Sequence, residues 1–134
     1  MKSNAWLGKL SITILDSPWT VYFKTDKQYQ RLKIKGSRAV TLIQGTHKSI
    51  HFNVEATFPG DRVVDHELVH AYVHELMGHD LNFSDNEREE FYCTLFETRG
   101  NQLRKKAAPI TAQLMKHYRK TKAKSVNKGE DEDE

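Results

Sequence analysis

Short stretches crowded with β-branched and aromatic residues occupy the first half of the chain, and beyond residue 60 the apolar positions fall three or four apart. Residues 11–15 (SITIL) and 20–24 (TVYFK) flank Asp16, Ser17 and Pro18, a turn signal, and so predict a β-hairpin. Tyr29, Leu32 and Ile34 fit either a short helix or an irregular crossing before Gly36. Residues 40–43 and 49–54 predict two further strands around a connection containing Gly45. The second of these, SIHFNV, alternates. Ile50, Phe52 and Val54 share one face and His51 and Asn53 the other, the pattern of a half-buried strand.

After Pro59 and Gly60 the period changes to that of a helix. Asp61 is suited to cap a helix over 62–77, with Gly78 as its stop. A second helix is expected to start at Ser84, Asp85 or Asn86 and to run through Phe91, Leu95 and Phe96 to about Gly100. Residues 102–124 predict a third, with Ile110, Leu114 and Tyr118 as an apolar stripe and Pro109 starting or kinking it. The expected fold is α+β: a small, mainly antiparallel sheet packed on the first two helices, followed by a C-terminal helix. One domain over residues 1–126 is expected, with 127–134 a disordered acidic tail.

Composition narrows the class. Hydrophobic residues make up 37% of the 134 positions, and no window approaches the roughly 18 apolar residues of a membrane-spanning helix. Residues 1–10 carry Lys2 and Lys9 among few apolar positions and show no secretory signal pattern. The single cysteine, Cys93, has no internal disulfide partner and reads as a small buried apolar residue, so a reducing, cytoplasmic setting is expected. Charge is segregated: residues 1–97 carry a net −2, residues 98–129 hold ten basic residues and no acidic one, and 130–134 hold five acidic residues. The basic segment, Arg104 to Lys128, suits weak contact with nucleic-acid phosphate, against the alternative of a solvated helix face.

The chemistry concentrates in His66-Glu67-Leu68-Val69-His70, an HExxH pattern on a predicted helix. Residues four apart stand one above the other on a helix face, so both imidazoles can converge on one ion. Zinc suits two neutral imidazoles and keeps a coordination position for water. Glu67, beside the first ligand, is placed to take a proton from that water as general base. A third ligand is required. Glu87 is the leading candidate, because it opens an i, i+4, i+8 stripe with Phe91 and Leu95, and a carboxylate on an inward stripe needs a partner. Its competing role is a capping box with Ser84. Glu89, Glu90 and His79 remain alternatives for the third ligand. His74, about 6 Å further along the helix axis, reads as a supporting or surface histidine. Asp65 or Glu75 could orient a ligand ring. His51 and Asn53 would line a groove for an extended peptide or face solvent.

SIHFNV, DHELVHAY and NEREEFYCTLFE, taken in order, resemble the small zincin-type metallopeptidases of the ImmA/IrrE group over roughly residues 48–97. The resemblance implies a gluzincin arrangement, in which Glu87 lies on the glutamate of the family's second motif, E-x-x-A-N-x-F-A. Glu90, Phe91 and Cys93 stand where that motif has Ala, Asn and Phe. HELVHAY followed by Gly78, His79 and Phe83 is also similar to the SprT-type proteases, whose third ligand is a histidine in a G-H-G segment; here Asp80 replaces the last glycine. Both resemblances imply a peptidase acting on a protein substrate, and the first implies a transcriptional repressor as that substrate. The expected function is zinc-dependent peptide hydrolysis by His66, His70, Glu87 and Glu67. The alternative is a nucleic-acid or partner-binding protein with a vestigial or structural zinc site.

Overall fold

The computed structural model describes residues 5–34, 38–57, 63–77 and 85–133, with side chains described throughout these except at 77, 85–93, 96, 98 and 124–133. Strands β1 (Gly8–Ile14) and β2 (Ser17–Lys24) form the expected hairpin, but its turn is tighter than Asp16-Ser17-Pro18. Leu15 and Asp16 alone make it, with φ of 51° and 67°, the two left-handed residues of a hairpin loop whose twist matches its strands. Ser17 pairs with Ile14 and Pro18 with Thr13. Pro18 fits inside the strand because pairing of β2 to its other neighbour begins only at Thr20.

Helix α1 (Asp26–Gln30) resolves the Tyr29 region in favour of a short helix. Thr25 starts it through a capping box: the Gln28 amide donates to Thr25 Oγ1 (3.1 Å), and the Thr25 amide donates to Gln28 Oε1 (2.9 Å). Strands β3 (Ala39–Gln44) and β4 (His47–Asn53) follow, joined at Gly45, whose φ of 62° an ordinary side chain would resist.

The four strands lie in the order β1-β2-β4-β3. β1 with β2 and β3 with β4 are antiparallel, whereas β2 runs parallel to β4, so the sheet is mixed where a mainly antiparallel one was expected. The reason is placement. The chain leaves β2 through α1, lays β3 on the outer edge, and returns with β4 between them. β4 is therefore interior and buried on both faces, not half-buried. Ile50, Phe52 and Val54 join the core, while His51 on the other face stacks on Tyr22 (4.9 Å), which in turn packs against Trp6 (5.0 Å).

Helices α2 (Val63–Met77) and α3 (Asp85–Asp133) complete the α+β fold. Val64, Leu68, Ala71 and Tyr72 of α2 and Leu95, Leu103, Ala107, Ile110 and Leu114 of α3 close on Trp19, Val21, Phe23, Ile50 and Phe52 of the sheet. The second and third predicted helices are one element, since α3 passes through both Gly100 and Pro109. A proline inside a helix costs about 3 kcal/mol. Here Pro109 faces solvent, and Leu103, Ile110 and Leu114 on the opposite side each contribute about 1.5–3 kcal/mol by burial, which outweighs it. The stripe also steps by four and three, 103, 107, 110, 114, 117, so that His117 and not Tyr118 takes the next buried position.

Candidate metal centre

Helix α2 turns one side to the sheet and the other to solvent. Val64, Leu68 and Ala71 occupy the first and His66 and His70 the second, where both histidines are exposed. Their rings stand nearly perpendicular (82°), with centroids 4.7 Å apart, and their Nε2 atoms approach to 3.1 Å. One ring can donate to the other at that distance. The same two lone pairs, freed of the intervening proton, fit a single cation: two zinc–nitrogen bonds of about 2.05 Å at a tetrahedral angle place their nitrogens about 3.3 Å apart. The donors are of the right chemistry, and the spacing matches.

Glu67 differs from its neighbours. It is only 5% exposed, and Thr41 Oγ1 on β3 donates to its Oε1 at 2.7 Å. One carboxylate oxygen is thus tethered to the edge strand, and a carboxylate has further lone pairs with which to accept from water. Thr41 precedes Glu67 by 26 positions, so no local pattern could have revealed this pairing.

The other end of α2 is fastened by Glu75. Its Oε2 accepts from Trp19 Nε1 (2.8 Å) and Lys48 Nζ (2.6 Å), and Lys48 also donates to Ser17 Oγ (2.7 Å). Burial pushes the Glu75 carboxyl up, but the hydrogen bonds from Lys48, Trp19 and Ser17 outweigh it and leave the pKa below the ordinary 4.5. Glu75, one of the two sequence candidates for orienting a ligand ring, has its Oε2 engaged with Trp19 and Lys48 of the sheet. Asp65, the other, is exposed. His74 is half-buried and meets the Trp19 ring edge-on at 6.1 Å.

His51 and Asn53 line no peptide groove and do not face solvent, because β4 is interior. Ser49 Oγ and His51 Nε2 are 2.9 Å apart, while Nδ1 is buried with no partner among the described residues. The tautomer that protonates Nε2 leaves only a lone pair unmatched, the cheaper arrangement. Burial, with smaller contributions from the Lys24 and His47 charges, pushes the His51 pKa down to about 3. Asn53 Nδ2 donates to Asp26 Oδ1 (2.9 Å) and its Oδ1 accepts from the Glu55 amide (3.1 Å), tying β4 to α1.

The side chains of Glu87, Glu89, Glu90 and Cys93, and all of His79, lie outside the described residues, although positions 87, 89, 90 and 93 fall on the first turns of α3. The capping residue Asp61 and the stop Gly78 lie outside them as well. Among the described residues no three His, Cys, Asp or Glu side chains gather, and no helix is long and apolar enough to cross a membrane. No family profile, curated protein or solved structure matches this chain.

Proposed function

We propose that the protein is a zinc-dependent metallopeptidase that hydrolyses a peptide bond in a protein substrate. The observation that carries this reading is the approach of His66 and His70 Nε2 to 3.1 Å on the exposed side of α2, with Glu67, the residue after His66, held by Thr41. His66 and His70 supply two ligands, and Glu87, at the start of α3, supplies the third. Bound zinc contributes Lewis acidity and lowers the pKa of a water molecule. Glu67, held through one oxygen by Thr41, accepts the proton of the attacking water and passes it to the departing amine. Strand β3, which carries Thr41, pairs only with β4 among the described strands. An extended substrate adds to its outer edge, which brings the peptide alongside Glu67.

The test is metal analysis of the purified chain beside proteolysis assays of Glu67→Gln and His66→Ala. Glu67→Gln keeps one zinc per chain and loses turnover by about 10²–10⁴-fold, while His66→Ala loses the metal. A wild-type chain that takes up no zinc, or an unchanged rate in Glu67→Gln, overturns the reading.

A further inference from the structure

A cavity of about 470 Å³ opens where the β1–β2 turn, α2 and α3 meet. Its α3 wall carries Arg99, Gln102 and the adjacent pair Lys105 and Lys106; both lysines lie three or four positions beyond Gln102, as Gln102 lies three beyond Arg99, so these groups stand on successive turns. Thr13 and Asp16 of the hairpin and Tyr72 of α2 form the rest of its polar lining. Three cations face one carboxylate, an excess of two positive charges. Tyr72 is fully buried, and its phenol oxygen has no hydrogen-bond partner among the described residues. An unmatched buried hydroxyl in a cavity wall can take its partner from the cavity.

The lining is a set of donors. The guanidinium fork, two ammonium groups, a phenol and a carboxamide can all donate, and Asp16 is the lone carboxylate against them. A carboxylate ligand carries a single negative charge and two oxygens. A phosphate monoester carries about −1.5 to −2 and three acceptor oxygens, which matches both the charge excess and the number of donors. The volume exceeds what a phosphate group alone fills and falls within the range of small-molecule sites. Leu15 and the Tyr72 ring supply apolar surface for the remainder of such a ligand. On a helix of 3.6 residues per turn Tyr72 projects about 140° away from His66 and His70, so this cavity is separate from the candidate metal centre.

We propose that this cavity is a binding site for a small phosphate monoester of about nucleotide size, seated with its phosphate on Arg99, Lys105 and Lys106 and within reach of the Tyr72 hydroxyl. The site stands whether or not the chain is a peptidase.

The experiment is calorimetric titration of the full-length chain with AMP, with inorganic phosphate, adenosine and a single-stranded oligonucleotide as parallel probes. AMP is expected to bind saturably with a dissociation constant of about 0.1 mM, phosphate to compete with it, and adenosine not to bind. Arg99→Gln and the double variant Lys105→Gln/Lys106→Gln each weaken AMP about 10-fold or more, in keeping with the strength of charge-assisted hydrogen bonds. Tyr72→Phe weakens AMP about 3- to 10-fold while the free variant unfolds at or above the wild-type temperature, since it sheds an unmatched hydroxyl. A merely structural Tyr72 would leave affinity unmoved. Absence of saturable binding by both AMP and phosphate overturns the proposal. So does AMP affinity indifferent to the arginine and lysine changes, or an oligonucleotide that binds with a steep salt dependence and is not displaced by AMP.

Discussion

Thr41 governs the orientation of Glu67 through one hydrogen bond of 2.7 Å, and this makes it a positioning residue for the proposed chemistry. Thr41→Val keeps the shape and deletes the donor. We expect kcat to fall about 10-fold with zinc content and KM little changed, and Thr41→Ser to restore most of the rate, as steady-state assays would measure. Retention of full kcat in the valine variant would detach Thr41 from the mechanism. His51 gives a prediction of a different kind, about stability and acid. Its pKa in the folded chain is about 3 against the ordinary 6.5, so the unfolded chain binds a proton first as pH falls. Folding stability is therefore intact above about pH 6.5 and declines below it, by up to about 1.4 kcal/mol per pH unit from this group alone. His117 adds to the decline, since burial, then the Lys116 and Lys120 charges, lower its pKa too. Denaturant titrations between pH 7 and pH 5 are expected to show this slope, and His51→Phe, which keeps a ring on Tyr22, is expected to flatten it.

Among the elements, β1 and α3 meet at a close contact. A Cβ added to Gly8 would lie 2.8 Å from His117 Nε2, and that ring is stacked on Phe23 at 5.3 Å and has little room to withdraw. Gly8→Ala is expected to destabilise the chain by about 1–2 kcal/mol despite the better backbone entropy of alanine, and the loss should shrink when His117→Ala is combined with it in a thermal-unfolding cycle. Strands β1 to β4 and helix α2 were legible in the sequence because each has its own period and punctuation. The approach of His66 to His70 was legible for the same reason, being local to one helix turn. The pairing of β2 with β4 was not, since two parallel strands with α1 and β3 between them leave no mark in either segment. The alternation in SIHFNV revealed an apolar face but not the rings of Tyr22 and Trp6 that cover the other. The capping box that fixes α1 is written in Thr25 and Gln28 themselves, three positions apart. Pro109 does not start a separate helix, because the burial of Leu103, Ile110 and Leu114 favours a continuous α3 over its local preference.

At the scale of the molecule, α3 links the two proposed sites. Its first turns carry position 87, its middle lines the cationic cavity, and its later turns hold Ile110 and Leu114 in the core. The ten basic residues between 98 and 129 therefore share a helix with the hydrophobic groups that close the domain. A chain cut after Gln102 would lose Leu103, Ala107, Ile110 and Leu114 together, and at about 2–4 kcal/mol for each large side chain it is expected to show no cooperative unfolding transition by calorimetry. Replacing Lys116, Arg119, Lys120 and Lys122 by glutamine removes charge at positions that are exposed or only partly buried, and the melting temperature is expected to stay within a few degrees of wild type. Because one uninterrupted rod serves as scaffold, as wall and as carrier of cations, the positive field of this protein cannot be amputated as an appendage. It can only be titrated away, side chain by side chain, on a body left whole.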